Sequence, residues 1–75
     1  MNIEFSDHAK KQLKDRMIPV NKVVGTVKNP AGKIKSFKNR MLRQKPFGSK
    51  ILEVVTITEG SKITIITAYY LKEEK

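Results

Sequence analysis

His8, Gln12 and Arg16 stand four residues apart, so on a helix they form one stripe with an imidazole at one end and a guanidinium at the other. His8 is the one histidine of the chain, and in the first turn of a helix the dipole favours its neutral form, which can act as a base. Arg40, Arg43 and Lys45 alternate with Met41, Leu42 and Gln44 along a second segment, and Lys33, Lys35 and Lys38 extend its positive field. The planar fork of arginine holds two phosphate oxygens at once, which lysine cannot do. Tyr69 and Tyr70 are neighbours on an extended segment and point to opposite faces. One is then core; the other is free to stack on a base or to donate its hydroxyl to a phosphate. A His, one or two Arg, a Lys and a Tyr suit RNA cleavage without a metal. A base removes the ribose 2′-OH proton, that oxygen attacks the adjacent phosphate, and cations stabilise the dianionic transition state. RNA carries this internal nucleophile and DNA does not.

Plainer readings stand beside these. A lone surface histidine near a helix end often does nothing, and lysines on outer strands discourage edge-to-edge association without binding anything. Glu53 interrupts an otherwise apolar face and reads as an internal salt-bridge partner, with a raised pKa if no cation reaches it.

Sixteen Lys and Arg against seven Asp and Glu give a net charge of +9 on 75 residues. A body that small presents a continuous positive potential, which favours polyanions and speeds their encounter. The excess lies in 10–16, 22–38 and 40–50, while Glu73-Glu74 is acidic, so the charge belongs to the folded body. The length allows one domain, 1–75, with one core. There is no cysteine, hence no disulfide or thiolate zinc site, and a single histidine leaves carboxylates alone to complete a metal sphere; neither metal nor cofactor is expected. Walker, dinucleotide-glycine and serine-triad patterns are missing. Polar residues follow Met1 and no long apolar run occurs, which predicts a soluble, cytoplasmic protein without signal peptide or membrane contact.

The positioning elements follow from periodicity. Ser6-Asp7 suits an N-cap, and Ala9, Leu13 and Met17 recur every four residues, predicting a helix over about 7–17. Pro19 suits the first turn of a second helix carrying Val20, Val23, Val24 and Val27, which Asn29-Pro30 stops. Lys33–Lys38 and Arg40–Lys45 predict a polar strand pair turning near Lys38-Asn39, with 46–49 as a loop. Ile51–Thr58 and Lys62–Leu71 are richest in β-branched residues and predict the centre of the sheet. A three-residue loop Glu59-Gly60-Ser61 would pair Val55 with Ile65 and Glu53 with Thr67, leaving the milder face of Leu52, Val54 and Ala68 partly open. The expected architecture is α+β, in the order α-α-β-β-β-β, with two helices on one face of a four-stranded antiparallel sheet.

Ser6-Asp7-His8-Ala9, Arg16 at the helix end, Met17-Ile18-Pro19, Asn29-Pro30 and the strand Ile65-Ile66-Thr67-Ala68-Tyr69 together resemble a small bacterial and archaeal family of domains of unknown function. That family shows a His-Ala helix start and a late Thr-x-Tyr strand. It is similar in architecture to the RelE-type ribonuclease toxins of the barnase, EndoU, colicin and RelE group. The resemblance implies an RNA-cleaving toxin with an acidic antitoxin as partner, and it carries family positions onto His8, Arg16, Thr67 and Tyr69. Gln12 departs from the pattern, which has an arginine there. The expectation is thus a metal-independent endoribonuclease with His8, Arg16, Arg43 and Tyr69 in catalysis and Lys11, Lys35, Arg40 and Lys45 on the RNA. The alternative is a non-catalytic nucleic-acid or ribosome-binding module on the same strands; a third reading is a small protein with a solubilising lysine surface.

Overall fold

The computed structural model describes residues 2–36 and 38–72, the last of these by its backbone. The chain runs β1 (Asn2–Phe5), α1 (Asp7–Asp15), α2 (Val20–Lys28), β2 (Gly32–Lys35), β3 (Arg40–Phe47), β4 (Lys50–Glu59) and β5 (Lys62–Lys72). Phe37, inside the predicted first strand, and the acidic Glu73-Glu74 lie outside the described residues.

The sheet has five strands in the order β1-β5-β4-β3-β2, and β1 pairs with β5 in parallel, which corrects the expected four-stranded antiparallel sheet. Ile3 and Phe5 alternate over too few residues to announce a strand; their partner makes one. The register Asn2↔Lys62 to Phe5↔Ile65 sets Ile3 and Phe5 against the core. The central position of β4 and the edge position of β2 agree with their composition.

Two hairpin turns are tighter than expected. Gly48 and Gly60 both have left-handed backbones, φ 67° and 62°, so Gly48-Ser49 and Gly60-Ser61 each close a turn between the pairs Phe47↔Lys50 and Glu59↔Lys62. Pro46 and Phe47 therefore belong to β3, and the β4–β5 register shifts by one residue from the expected one. A bulge then adds Ile66 to β5, because Val55 pairs with Thr67 and Thr56 with Ile65. The extra residue reverses the alternation, so Ile63 and Ile65 before it and Ala68 and Tyr70 after it join one core.

That core also takes Ala9, Leu13, Ile18, Val23, Val27, Leu52 and Val54. The helices cover the Leu52–Val54 face, a choice the sequence left open: the two-residue turn sets Ile63 and Ile65 on it, and the bulge keeps Ala68 and Tyr70 there. Burying a side chain such as Leu52 or Ile65 fully contributes about 1.5–3 kcal/mol. Met17, expected on the helix stripe, is 86% exposed. The helix ends earlier: Ile18 N–H donates to Leu13 O at 2.9 Å and Met17 N–H to Lys14 O at 3.2 Å, a Schellman closure with Met17 left-handed at φ 56°. The closure turns Met17 outward and Ile18 into the core.

Candidate functional site

The site is built where β1 ends and the free edge of β5 begins. Ser6 caps α1, its Oγ accepting from Ala9 N–H at 3.0 Å and donating to Ile66 O at 3.3 Å. This one hydroxyl ties the start of α1 to the bulge. The helix consequently lies along β5 beyond the bulge, and its Gln12–Arg16 flank meets that edge. Arg16 Nη1 donates to Ala68 O at 2.8 Å and reaches Thr67 Oγ1 at 3.5 Å. Thr67 in turn donates to Gln12 Oε1.

Thr67 and Tyr69 alternate away from the core residues Ala68 and Tyr70, so they stand on the face the helices leave uncovered. The register sets Gln44, Glu53 and Tyr69 in one row across that face. Gln44 Nε2 donates to Glu53 Oε1, and the Tyr69 hydroxyl to Glu53 Oε2. Glu53 is 6% exposed and is held by these two neutral donors, not by the salt bridge expected for it. Burial, then the hydrogen bond to Glu53 and that carboxylate's charge, push the Tyr69 phenol up to about 12, against the opposing pull of Arg16. The phenol therefore stays protonated near neutrality, and acts as a donor, never as a base. A line of Gln12, Arg16, Thr67, Tyr69, Glu53 and Gln44 thus runs from α1 onto the uncovered face.

The sequence-predicted residues divide between two faces. Arg16 reaches the strand segment that carries Tyr69, through Thr67 Oγ1 and Ala68 O. His8 and Lys11 are exposed on α1; His8, one turn before Gln12, shares its flank, whereas Lys11 points outward between that flank and Lys14. Arg40 pairs with Ile57 and shares the uncovered face. Arg43 does not join them: it pairs with Val54 and turns to the helices, where Nε donates to Thr56 Oγ1 at 3.2 Å and Nη1 to Val27 O at 3.1 Å. It closes the C-terminal end of α2, where a cation also meets the negative end of the helix dipole. Lys45, paired with Leu52, and Lys35, paired with Met41, share the side of Arg43. Period-two alternation alone cannot say which side the helices take, so the cations of β3 could not be divided from sequence. Gln44 was not singled out either; its only signal is its place across from Glu53, which needs the register.

Among the described residues the one ion pair is Lys62 Nζ with Glu4 Oε1, at 3.4 Å and at the surface. Among the described residues the other cations therefore have no ion-pair partner. Among the described residues no helix is long and apolar enough to cross a membrane.

Fold and site define a small basic α+β domain, two helices on a five-stranded mixed sheet, with a polar line joining the first helix to the last strand. The chain belongs to the family described as Domain of unknown function (DUF4258), whose model matches residues 5–70. The match runs from Phe5 through Tyr70 and so includes every residue of the polar line. No curated protein and no solved structure matches the chain.

Proposed function

We propose that this domain binds single-stranded RNA across the uncovered sheet face, between Arg16 at the β5 edge and Arg40 on β3, and cleaves it at the α1 flank. The observation that carries the reading is the anchoring of Arg16 to Ala68 O and Thr67 at that edge, next in the strand to Tyr69, in a body of charge +9 with one ion pair among the described residues. An unneutralised cationic surface draws polyanions. The guanidinium spends one nitrogen on Ala68 O and Thr67, which holds the fork in place and leaves its other N–H groups for a phosphate. Tyr69, kept neutral, offers a flat ring beside it.

In the cleavage step His8 takes the 2′-OH proton and the freed oxygen attacks the adjacent phosphorus. The bond to the 5′-oxygen breaks, leaving a 2′,3′-cyclic phosphate and a 5′-hydroxyl that takes up a proton. Arg16 stabilises the charge that builds on the phosphoryl oxygens. This is the chemistry implied by the family's likeness in architecture to the RelE-type toxins, and an acidic antitoxin is the partner that likeness implies. Incubation with total RNA in EDTA tests the reading: cleavage products end in cyclic phosphate, and His8→Ala lowers their rate by ~10²-fold or more while RNA retention persists. Retention without cleavage by the wild type assigns a binding module, and neither activity removes the reading.

A further inference from the structure

The other flank of α1 carries a feature that RNA binding does not use. Phe5, Leu13, Ile18 and Val20 line an apolar cavity of about 340 Å³, open to solvent, whose remaining walls are Lys10 and Lys14. Val20 at its mouth is 55% exposed, and Met17, next in the chain to Ile18, is 86% exposed. Met17 is also held left-handed, a conformation costing about 1–2 kcal/mol for a residue with a Cβ. Its backbone closes the end of α1, but its apolar side chain is left in solvent, one residue from Ile18 in the wall of the hollow.

We propose that this groove docks an acidic amphipathic helix from a partner protein. The hollow has room for one or two aliphatic side chains, and Lys10 and Lys14 stand one turn apart on α1. They match two carboxylates spaced i, i+4 on a helix laid alongside, so that apolar anchors enter the hollow while acids face the lysines. A second copy of this chain is a poor occupant, because it brings a further +9 into contact with lysines. A lipid surface fits badly too, since the apolar surface is concave and recessed between charged walls. The groove lies on the flank of α1 opposite Gln12 and Arg16, so a helix seated there leaves the proposed RNA site open, and the two activities are read separately.

The probe is a fluorescein-labelled helical peptide of ~16 residues, with Leu at two positions one turn apart flanked by Glu, alongside a Glu→Gln version of the same peptide. Anisotropy with the folded domain is expected to show saturable binding, with nitrogen and proton chemical-shift changes confined to residues around Lys10, Leu13, Lys14, Ile18 and Val20. Val20→Ser, which alters no charge, weakens binding about tenfold while RNA retention stays unchanged; the Glu→Gln peptide loses at least as much. Absence of saturable peptide binding overturns the proposal, as does binding indifferent to both changes. Retention on phosphatidylglycerol vesicles in place of the peptide, or concentration-dependent dimerisation abolished by Val20→Ser, overturns it in favour of another occupant.

Discussion

Replacing Tyr69 by Phe removes one hydroxyl and tests the polar row at its centre. Glu53 is buried among β-strand side chains and keeps two donors, Tyr69 and Gln44. Without the phenol one carboxylate oxygen faces a ring edge. A hydrogen bond to a charged group contributes about 1.5–3 kcal/mol, so a loss of about 2 kcal/mol is expected, and in a domain of this size that lowers the melting temperature by about 8–16 °C. The pH dependence gives a second reading. The Tyr69 pKa is raised from 10.0 to about 12 in the folded protein, so its share of stability is complete below pH 10 and is lost as pH rises through 12. Two pKa units correspond to about 2.7 kcal/mol, and solvent around the half-buried ring reduces this to about 1 kcal/mol. Calorimetry near neutrality and at high pH, with ultraviolet titration of wild type minus variant, measures both. A variant within about 0.5 kcal/mol of wild type, together with a Tyr69 contribution ionising near its ordinary pKa, refutes the arrangement.

Met17→Gly relieves the left-handed Cβ at the end of α1 and is expected to stabilise by about 1 kcal/mol in thermal melts; a neutral or destabilising outcome contradicts the Schellman reading. Arg43→Met removes the donors to Val27 O and Thr56 Oγ1. It should cost about 2 kcal/mol with RNA affinity falling no more than for Lys45→Gln, as expected for a helix-closing residue; a large and selective loss of RNA affinity would put Arg43 on the RNA instead. Ser6→Ala loses the N-cap and the tie to the bulge, with an expected cost of about 1 kcal/mol in urea unfolding.

Most local signals in the sequence were faithful, although the helix stripe was carried past the end of α1 to Met17. Ser6 does cap a helix, Asn29-Pro30 does end one, the β-branched runs are the inner strands, and Tyr69 and Tyr70 do part to opposite faces. Long-range pairing was hidden. Nothing in Asn2–Phe5 names a parallel partner sixty residues away, and a glycine that closes a two-residue turn looks, in sequence, like one inside a longer loop. That single-residue difference, followed by the bulge at Ile66, decided which face met the helices. It thereby sent Arg43 and Lys45 to one side and Tyr69 to the other. Arg16, Thr67 and Tyr69 were singled out as separate positions by the family resemblance, whereas Glu53 between Tyr69 and Gln44 emerged from the register alone.

The proposed RNA site is the uncovered face of the sheet. The deciding measurement is the salt dependence of binding of a short single-stranded RNA, followed by anisotropy, for the wild type, Arg16→Gln/Arg40→Gln and Lys35→Gln/Lys45→Gln, each checked for folding. Loss of two phosphate contacts from the uncovered face lowers the log-log slope by about 1.4 in the arginine pair, while the lysine pair keeps the wild-type slope. The reverse pattern, or a wild-type slope near zero, contradicts it.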